Sequence, residues 1–354
     1  MSLQEYIHSF FQRKKDAIAE RNDNVNALSN TLIRDGIATL KEVIALLPPE
    51  RMGVFTESLQ AIEARYQDPD FYLSVIGNFN SGKSTFLNAL LGMDLLSVRD
   101  LPTTAVPTYI RWNRGEVMRS RSEHGRNLNN CEPCVKVVLK GGESYYLDGS
   151  DMTRFQKETG IHLPKEIGSR IDYITTENKL ADRLRQIEIS FPEDPRFKNF
   201  CLIDTPGINP GEQSNAVHIV NTQSVLRETS DCAIILYPGI ATMEANMKVF
   251  IEENAPHLMG NSIVLLTKMD LIPGKEWKKI QTYTEKVLRE QFHQEQPLVY
   301  PLSAWMAREY QSGRETHETA AKWATSFQTT TEEILNTSFP IRRTIDHRNH
   351  NILW

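Results

Sequence analysis

Apolar residues along the chain follow two different periods, and the change between them predicts where helices give way to strands. In the N-terminal part they recur at helical spacing, and Pro48-Pro49 interrupts the pattern, so we predict helices over most of residues 1–68. The apolar positions are Leu3, Ile7, Phe10, Phe11, Leu28, Leu32, Ile37, Leu40, Ile44, Leu47, Val54, Leu59, Ile62 and Tyr66. Each helix has one apolar face to cover, which favours a stabilising bundle, with a partner-binding groove as the alternative.

The middle of the chain alternates short, continuous apolar runs with helical patterns, which is typical of a sheet whose strands are buried on both faces. The predicted strands are 71–76, 109–112, 186–191, 200–204, 231–237, 262–266 and 298–302. Residues 113–185 are a polar insertion with two short predicted strands, 135–139 and 144–147, and helices near 151–159 and 172–185. Helical patterns return at 242–254 and 315–337, whereas 208–222 have the composition of a flexible loop.

The first of these strands ends in a phosphate-binding motif. It is followed by Gly77-Asn78-Phe79-Asn80-Ser81-Gly82-Lys83-Ser84 and by a helical run from Thr85. In this pattern the glycines let the backbone wrap a phosphate, and the N–H groups at the helix start face the anion. We expect Lys83 between the β- and γ-phosphates and the Ser84 hydroxyl on Mg²⁺. An ordinary glycine-rich turn is the alternative.

Two other positions have the chemistry of a magnesium nucleotide site. The strand at 200–204 leads into Asp204-Thr205-Pro206-Gly207, so we expect Asp204 to hold the hydration shell of Mg²⁺ and the Gly207 N–H to contact the γ-phosphate. The loop before the strand at 109–112 contains Thr103-Thr104. A threonine here can bind Mg²⁺ and sense the γ-phosphate; Thr104 is the first choice and Thr103 the second, with a plain strand start as the alternative.

The tetrad Thr267-Lys268-Met269-Asp270 predicts which base is bound. The Asp270 carboxylate can accept hydrogen bonds from N1–H and the N2 amine of guanine, and adenine would leave it unpaired. We expect Lys268 to cover one face of the base and the Ala304 N–H, after Ser303, to donate to guanine O6. GTP and GDP are therefore the predicted substrate and product, and Asp270 argues against the rival, an ATP-using enzyme.

Composition excludes few classes of protein. The length of 354 residues predicts two or three domains, and a net charge of −5 argues against a dominant nucleic-acid-binding surface. Cys131 and Cys134 lack a second pair for zinc, so we interpret them as loop residues in a reducing cytosol, with Cys201 and Cys232 on buried strands. No apolar run approaches the roughly 20 residues that cross a bilayer.

The motifs at 77–92, 101–108, 200–208 and 267–270 resemble those of the dynamin superfamily, particularly the bacterial dynamin-like proteins. The resemblance implies an α/β P-loop GTPase domain with a mostly parallel central sheet and helices on both faces, plus a flanking helical bundle. The expected domains are an N-terminal helical segment at 1–69, the GTPase domain at 70–306, and a C-terminal helical segment at 307–354 that packs on the N-terminal helices.

The resemblance also implies a function. GTPase domains of this kind self-associate across the nucleotide pocket, which stimulates hydrolysis. Such proteins usually remodel lipid membranes. The expected localisation is cytoplasmic or peripheral at a membrane. Residues 307–354 are too few for a long stalk, so membrane action is expected of a longer protein. The alternative is a regulatory switch that binds an effector without remodelling a membrane.

Two features depart from the patterns of related enzymes. Ile208 stands where Ras-type enzymes place a water-orienting glutamine, so the resemblance implies that backbone groups and Thr104 position the water. Asn80 stands where the dynamin superfamily often has serine, and the first switch lacks glycine around Arg99. One hypothesis is that Asn80 or Arg99 offsets the developing negative charge. A solvated loop charge is the alternative for Arg99.

Overall fold

The structure is a computed structural model. It describes residues 31–68, 70–78, 80–96, 98, 106–112, 133–176, 180, 183–194, 197, 199–207, 216–239, 250–253, 258, 262–273, 276–291, 294 and 297–337. Predictions for 1–30, Phe79, Arg99, Thr103, Thr104, Cys131, Ile208 and 241–249 therefore lie outside the described residues. Within the ranges above, no helix combines the length and the apolar character that crossing a membrane requires.

The chain divides into two compact units, Tyr72–Leu335 and a second made of Met1–Phe71 with Asn336–Trp354. The described part of the second contains α1 (31–45) and α2 (Pro49–Gln67). Pro48 and Pro49 separate the helices as predicted, and Pro49 begins α2, where a missing N–H removes no helical bond. The domain boundaries expected from the sequence stay predictions.

The apolar face predicted for these two helices is only partly covered. Lys41 on α1 pairs with Glu63 on α2, so the helices lie side by side. Leu59 is buried, but Leu32, Leu40 and Ile62 are exposed. A pair of helices covers only the strip along which the two face each other, which accounts for the difference from the predicted stripe.

The larger unit is built around one sheet. Its strands are β1 (Phe71–Gly77), β2 (Thr108–Trp112), β3 (Cys134–Leu139), β4 (Ser144–Tyr146), β5 (Leu184–Phe191), β6 (Phe200–Asp204), β7 (Cys232–Pro238), β8 (Ser262–Thr267) and β9 (Leu298–Pro301). Its helices are α3 (Lys83–Leu91), α4 (Gly149–Thr159), α5 (Ile167–Thr176), α6 (Ala216–Glu228), α7 (Glu276–Gln291), α8 (Ala304–Gln311) and α9 (Glu318–Thr337), together with a helical stretch at 250–253.

The nine strands lie in the order β4-β3-β5-β2-β6-β1-β7-β8-β9. Strands β1, β7, β8 and β9 run parallel, with Val75 opposite Ile234, Ile234 opposite Ile263, and Ile263 opposite Leu298. Strand β2 is parallel to β5 and antiparallel to β6, and β3 runs antiparallel to both β5 and β4. The predicted α/β fold with a mostly parallel central sheet is confirmed.

Buried side chains of the parallel strands join the helices into a core. The main cluster contains Ile76, Leu226, Ala233, Ile235, Tyr237, Phe250, Ile251, Leu258, Val264, Leu266, Met269, Leu288 and Val299. Trp277 and Ile280 of α7 pack against it. This close-packed core holds β1, β7 and β8 together along their length. The loops that follow these strands therefore begin at fixed positions.

Three predicted details were wrong. The helix predicted near 172–185 includes residues 172–176 and Leu180, but it does not reach 185, since Leu184 already pairs with Leu139 in the sheet, where burial beside β3 overrides the local helical pattern. Cys134 is the first residue of β3 rather than a loop residue, since it pairs with Ser190. Helix α6 begins at Ala216, within the stretch predicted as a flexible loop.

The sequence analysis also did not predict two helices of the larger unit, α7 and α8. Helix α8 follows β9 directly, and its start is stabilised by the Ser303 hydroxyl, which accepts a hydrogen bond from the Met306 N–H at 3.2 Å. Serine is a favoured residue at such a position. The pair Ser303-Ala304 is therefore both the predicted base loop and the start of a helix.

Candidate functional site

The loop between β1 and α3 has the backbone conformation of a tight anion-binding turn. Strand β1 ends at Gly77 and α3 begins at Lys83. Gly82 has φ 91° and Asn80 has φ 60°, both in the left-handed region, which glycine and asparagine tolerate best. Asn80 is exposed at this turn. The two residues therefore allow the chain to reverse sharply before the helix starts.

Gly77 also permits a close approach of the loop to the neighbouring strand. A Cβ atom at Gly77 would lie 2.9 Å from the Leu236 carbonyl oxygen and closer still to the Ser81 hydroxyl. Real side chains do not make such contacts with backbone. A glycine is therefore required here for packing, independently of its value for binding a phosphate.

The start of α3 has no side-chain cap and lies beside a positive charge. The residue before the helix is Gly82, which has no side chain to cap it, and the first turn contains no acidic residue. The Lys83 ammonium donates to the carbonyl oxygens of Gly77 at 3.0 Å and Asn78 at 3.1 Å. An ammonium has three donors, so one remains for a ligand. With half-buried Ser84 and Thr85 in the same turn, this helix start is suited to bind an anion.

The charges of buried Asp204 and half-buried Lys83 influence each other. Burial raises the pKa of the Asp204 carboxyl to about 6, and the Lys83 charge opposes this rise. Burial lowers the pKa of the Lys83 ammonium to about 8, and Asp204 opposes this fall. The Asp204 Oδ1 atom is buried without a hydrogen-bond partner. A buried carboxylate oxygen of this kind fits a hydrated magnesium ion, and the Ser84 hydroxyl in the first turn of α3 is a second group that could hold it.

Buried threonine hydroxyls tie the separate loops to one another. Thr267, the last residue of β8, donates to the Ser81 carbonyl at 2.7 Å. Thr205, the residue after β6, donates to the Val75 carbonyl in β1 at 2.8 Å. These two bonds connect the phosphate loop with the base tetrad and the Asp204 segment with β1. The sequence analysis assigned no role to Thr205; a threonine between a strand and Pro-Gly was the available signal.

The residues predicted to read the base lie on two adjacent loops. Lys268 has φ 57°, and Met269–Leu271 form a short 3-10 helix that contains half-buried Asp270. The Met269 N–H donates to the Leu302 carbonyl at 3.3 Å, one residue before Ser303. Because β8 and β9 are parallel neighbours, the loops that follow them leave the same edge of the sheet.

Most of the predicted site residues therefore lie at the end of a parallel strand or at the helix start that follows it. The structure joins Ser81 to Thr267 and Lys83 to Gly77 and Asn78, and it places the charges of Lys83 and Asp204 close enough to interact. Gly207 is half-buried beyond β6. Their roles in binding and catalysis stay predictions, as do those of Thr103, Thr104 and Arg99, which lie outside the described residues.

Fold and site together define the chain as a P-loop nucleotide-binding protein of the GTPase class. The chain belongs to the dynamin family: the family model matches residues 73–269, more than half of its length. Membership confirms the resemblance inferred from the motifs and makes the chain a dynamin-like GTPase in general terms.

Several relatives have similar sequences but are longer proteins. An uncharacterised protein from the xynA 3′ region of Caldicellulosiruptor sp. is 27% identical over 281 residues, which are 78% of this chain and 59% of that protein. Dynamin-like protein 2 of Campylobacter jejuni is 24% identical over 77% of this chain and 39% of its own length. Dynamin-like protein 1 of the same organism is 22% identical over 65% and 32%. The chain thus spans less than two thirds of the length of these relatives.

A solved structure of a bacterial dynamin has the same fold. It was described as part of an oligomerised pair that senses and tethers membranes over long range. The similarity covers 92% of this chain and 55% of that one, with a TM-score of 0.52 and 20% sequence identity. This likeness establishes the fold.

Proposed function

We propose that this chain binds GTP with Mg²⁺ and hydrolyses it to GDP and phosphate. The observation that carries the proposal is the direct link between the phosphate loop and the base tetrad, the 2.7 Å hydrogen bond from Thr267 to Ser81. The link ties the loop that would hold the phosphates to the tetrad that would read the base. A nucleotide could then contact both loops at once.

In the proposed reaction, the oxygen of a water bonds to the γ-phosphorus while the bond from that phosphorus to the β–γ bridging oxygen breaks. GDP leaves, and the proton of the water ends on phosphate. Lys83 and the N–H groups at the start of α3 offset negative charge on the phosphates. The Gly207 N–H contacts the γ-phosphate, Thr104 positions the water, and Asn80 is a candidate for stabilising the developing charge.

Bound Mg²⁺ would supply positive charge that offsets the charge of the phosphates. In this proposal Ser84 and Thr104 would hold the ion, and Asp204 would hold its hydration shell. The unpartnered Oδ1 atom of Asp204 supports this role, because a buried carboxylate oxygen needs a donor or a cation nearby.

Specificity for guanine follows from Asp270. Its carboxylate would accept from N1–H and the N2 amine, Lys268 would cover the base, and the Ala304 N–H would donate to O6. Each hydrogen bond to a charged group contributes about 1.5–3 kcal/mol, so Asp270→Asn should weaken GTP binding at least about a hundredfold. Xanthosine triphosphate has a carbonyl in place of the N2 amine and should bind the variant better, because asparagine can donate to it.

The test is phosphate release by the purified chain with Mg²⁺ and either GTP or ATP. The proposal requires turnover of GTP, little turnover of ATP, and loss of GTP turnover in Asp270→Asn. Glu290→Gln is the matched charge control, since it also removes one negative charge and Glu290 is exposed on α7, where it pairs with Lys286 of the same helix. Equal turnover of both nucleotides, or an unaffected Asp270 variant, would contradict guanine specificity.

We further propose that GTP-bound copies of the chain self-associate through their GTPase domains, that this pairing stimulates hydrolysis, and that the protein serves membrane remodelling. Family membership and the oligomerised bacterial neighbour support this proposal. The turnover rate per molecule should rise with protein concentration. A constant rate would favour the alternative, a switch that binds an effector without remodelling.

A further inference from the structure

Asn88 fixes the turn that follows the phosphate-loop helix. It lies on α3, is 2% exposed, and bonds three backbone groups of the turn after the helix. Its side-chain oxygen accepts from the N–H groups of Leu95 at 3.1 Å and Leu96 at 2.8 Å, and its amide donates to the Leu96 carbonyl at 2.8 Å. The backbone at 95–96 is therefore held rigidly to the helix that begins at Lys83.

The same turn is joined to the helix that begins at the base loop. Asp94 precedes Leu95 and forms an ion pair with Arg308 of α8, with 2.9 Å between Oδ1 and Nε. The Arg308 side chain is only 14% exposed. Arg314 extends the network, lying 3.8 Å from Asp94 and 2.9 Å from Glu309. Helix α8 also packs directly on α3. We call Asn88, Asp94 and Arg308 the α3–α8 bridge.

We propose that Arg308 is a positioning residue for base recognition, acting through the α3–α8 bridge. The inference rests on the proposed function. Helix α8 starts at Ala304, whose N–H is expected to donate to guanine O6, and Arg308 lies one helical turn further on. The ion pair with Asp94 fixes that start relative to α3, and so sets the separation between the donor to the base and the donors to the phosphates.

The experiment measures binding of GDP and of 6-thio-GDP by calorimetry in the presence of Mg²⁺. The thio compound replaces O6 by sulfur, a weaker acceptor, and keeps N1–H and the N2 amine. Arg308→Gln should weaken GDP binding about fivefold, the effect of a favourable partly exposed ion pair, and 6-thio-GDP binding less than about twofold. Asp94→Asn should do the same. The double variant should bind GDP no more weakly than Asp94→Asn alone, because Asp94→Asn already removes the pair with Arg308.

Lys322→Gln serves as the charge control for Arg308→Gln, because it also removes one positive charge and Lys322 is exposed on α9, where it pairs with Glu318 of the same helix. Thermal unfolding verifies that each variant folds. Equal weakening of both ligands by Arg308→Gln, or additive losses in the double variant, would overturn the inference and leave the bridge with a purely structural role. If Arg308→Gln fails to fold, Asp94→Asn carries the test, because its side chain is 58% exposed. Failure of the unmodified chain to bind GDP would instead contradict the proposed function.

Discussion

Replacing Thr267 by valine tests whether the hydrogen bond between the base tetrad and the phosphate loop matters for both stability and binding. The Thr267 hydroxyl donates to the Ser81 carbonyl at 2.7 Å, and both residues are almost completely buried. Valine keeps the branched shape but removes the donor. Serine keeps the donor but removes a methyl group, and so provides the matched control.

The expected magnitude follows from the burial of this bond. A typical hydrogen bond contributes about 1 kcal/mol net, and loss of one partner in a buried pair costs up to about 3 kcal/mol. Thr267→Val should therefore lower the free energy of unfolding by about 1–3 kcal/mol. If GDP binds only when the phosphate loop has the position seen in the structure, the same free energy is lost from binding. GDP affinity should then fall by about five- to a hundredfold. Thr267→Ser loses about 0.8 kcal/mol of packing and should bind GDP normally.

Urea unfolding provides the free energies, and calorimetry with GDP and Mg²⁺ provides the affinities. The decisive comparison is between the two variants rather than between either one and the unmodified chain. If both bind GDP equally, or if only the serine variant binds more weakly, the hydroxyl has no part in organising the site and the reasoning is wrong.

Three further predictions address other parts of the site. Because burial raises the pKa of Asp204 to about 6 and Mg²⁺ needs the ionised carboxylate, Mg²⁺-dependent GDP affinity should fall as the pH is lowered below that value; pH-resolved titrations should lose this component in Asp204→Asn. Gly77→Ala should lower the free energy of unfolding in urea by about 1–3 kcal/mol, since the new Cβ would lie 2.9 Å from the Leu236 carbonyl oxygen. Gly36→Ala in α1 is the control; its Cβ would meet nothing within 4 Å, so it should be neutral or stabilising. Asn88→Ala removes three buried hydrogen bonds and should lower the free energy of unfolding, measured in urea, by about 2–4 kcal/mol. A smaller loss would mean that water replaces the amide.

The strands and the candidate loops were predictable because their signals are contiguous in the sequence. The apolar run before Gly77, the glycines around Lys83 and the apolar run before Thr267 each combine a strand with the turn that follows it. Local chemistry of this kind depends on neighbouring residues only. It therefore gave the positions of β1, β6, β7 and β8 to within one residue at each end.

The connections between those loops were not predictable, because they join residues far apart in the chain. Thr205 and Val75 are separated by 130 positions, Thr267 and Ser81 by 186, and Arg308 and Asp94 by 214. Which of them meet depends on the order of strands in the sheet, and no local pattern carries that information. The error at Leu184 has the same origin, since its pairing with β3 decides its conformation.

The two outermost strands of the described sheet are also its shortest, three residues in β4 and four in β9. Long unpaired edges invite strand-to-strand aggregation between molecules, and brief ones offer too few backbone groups to template it. Pro301 at the end of β9 further removes one N–H from that edge. Crowded copies of this protein should accordingly meet through side-chain surfaces, which favours ordered, reversible contacts over fibrous deposits.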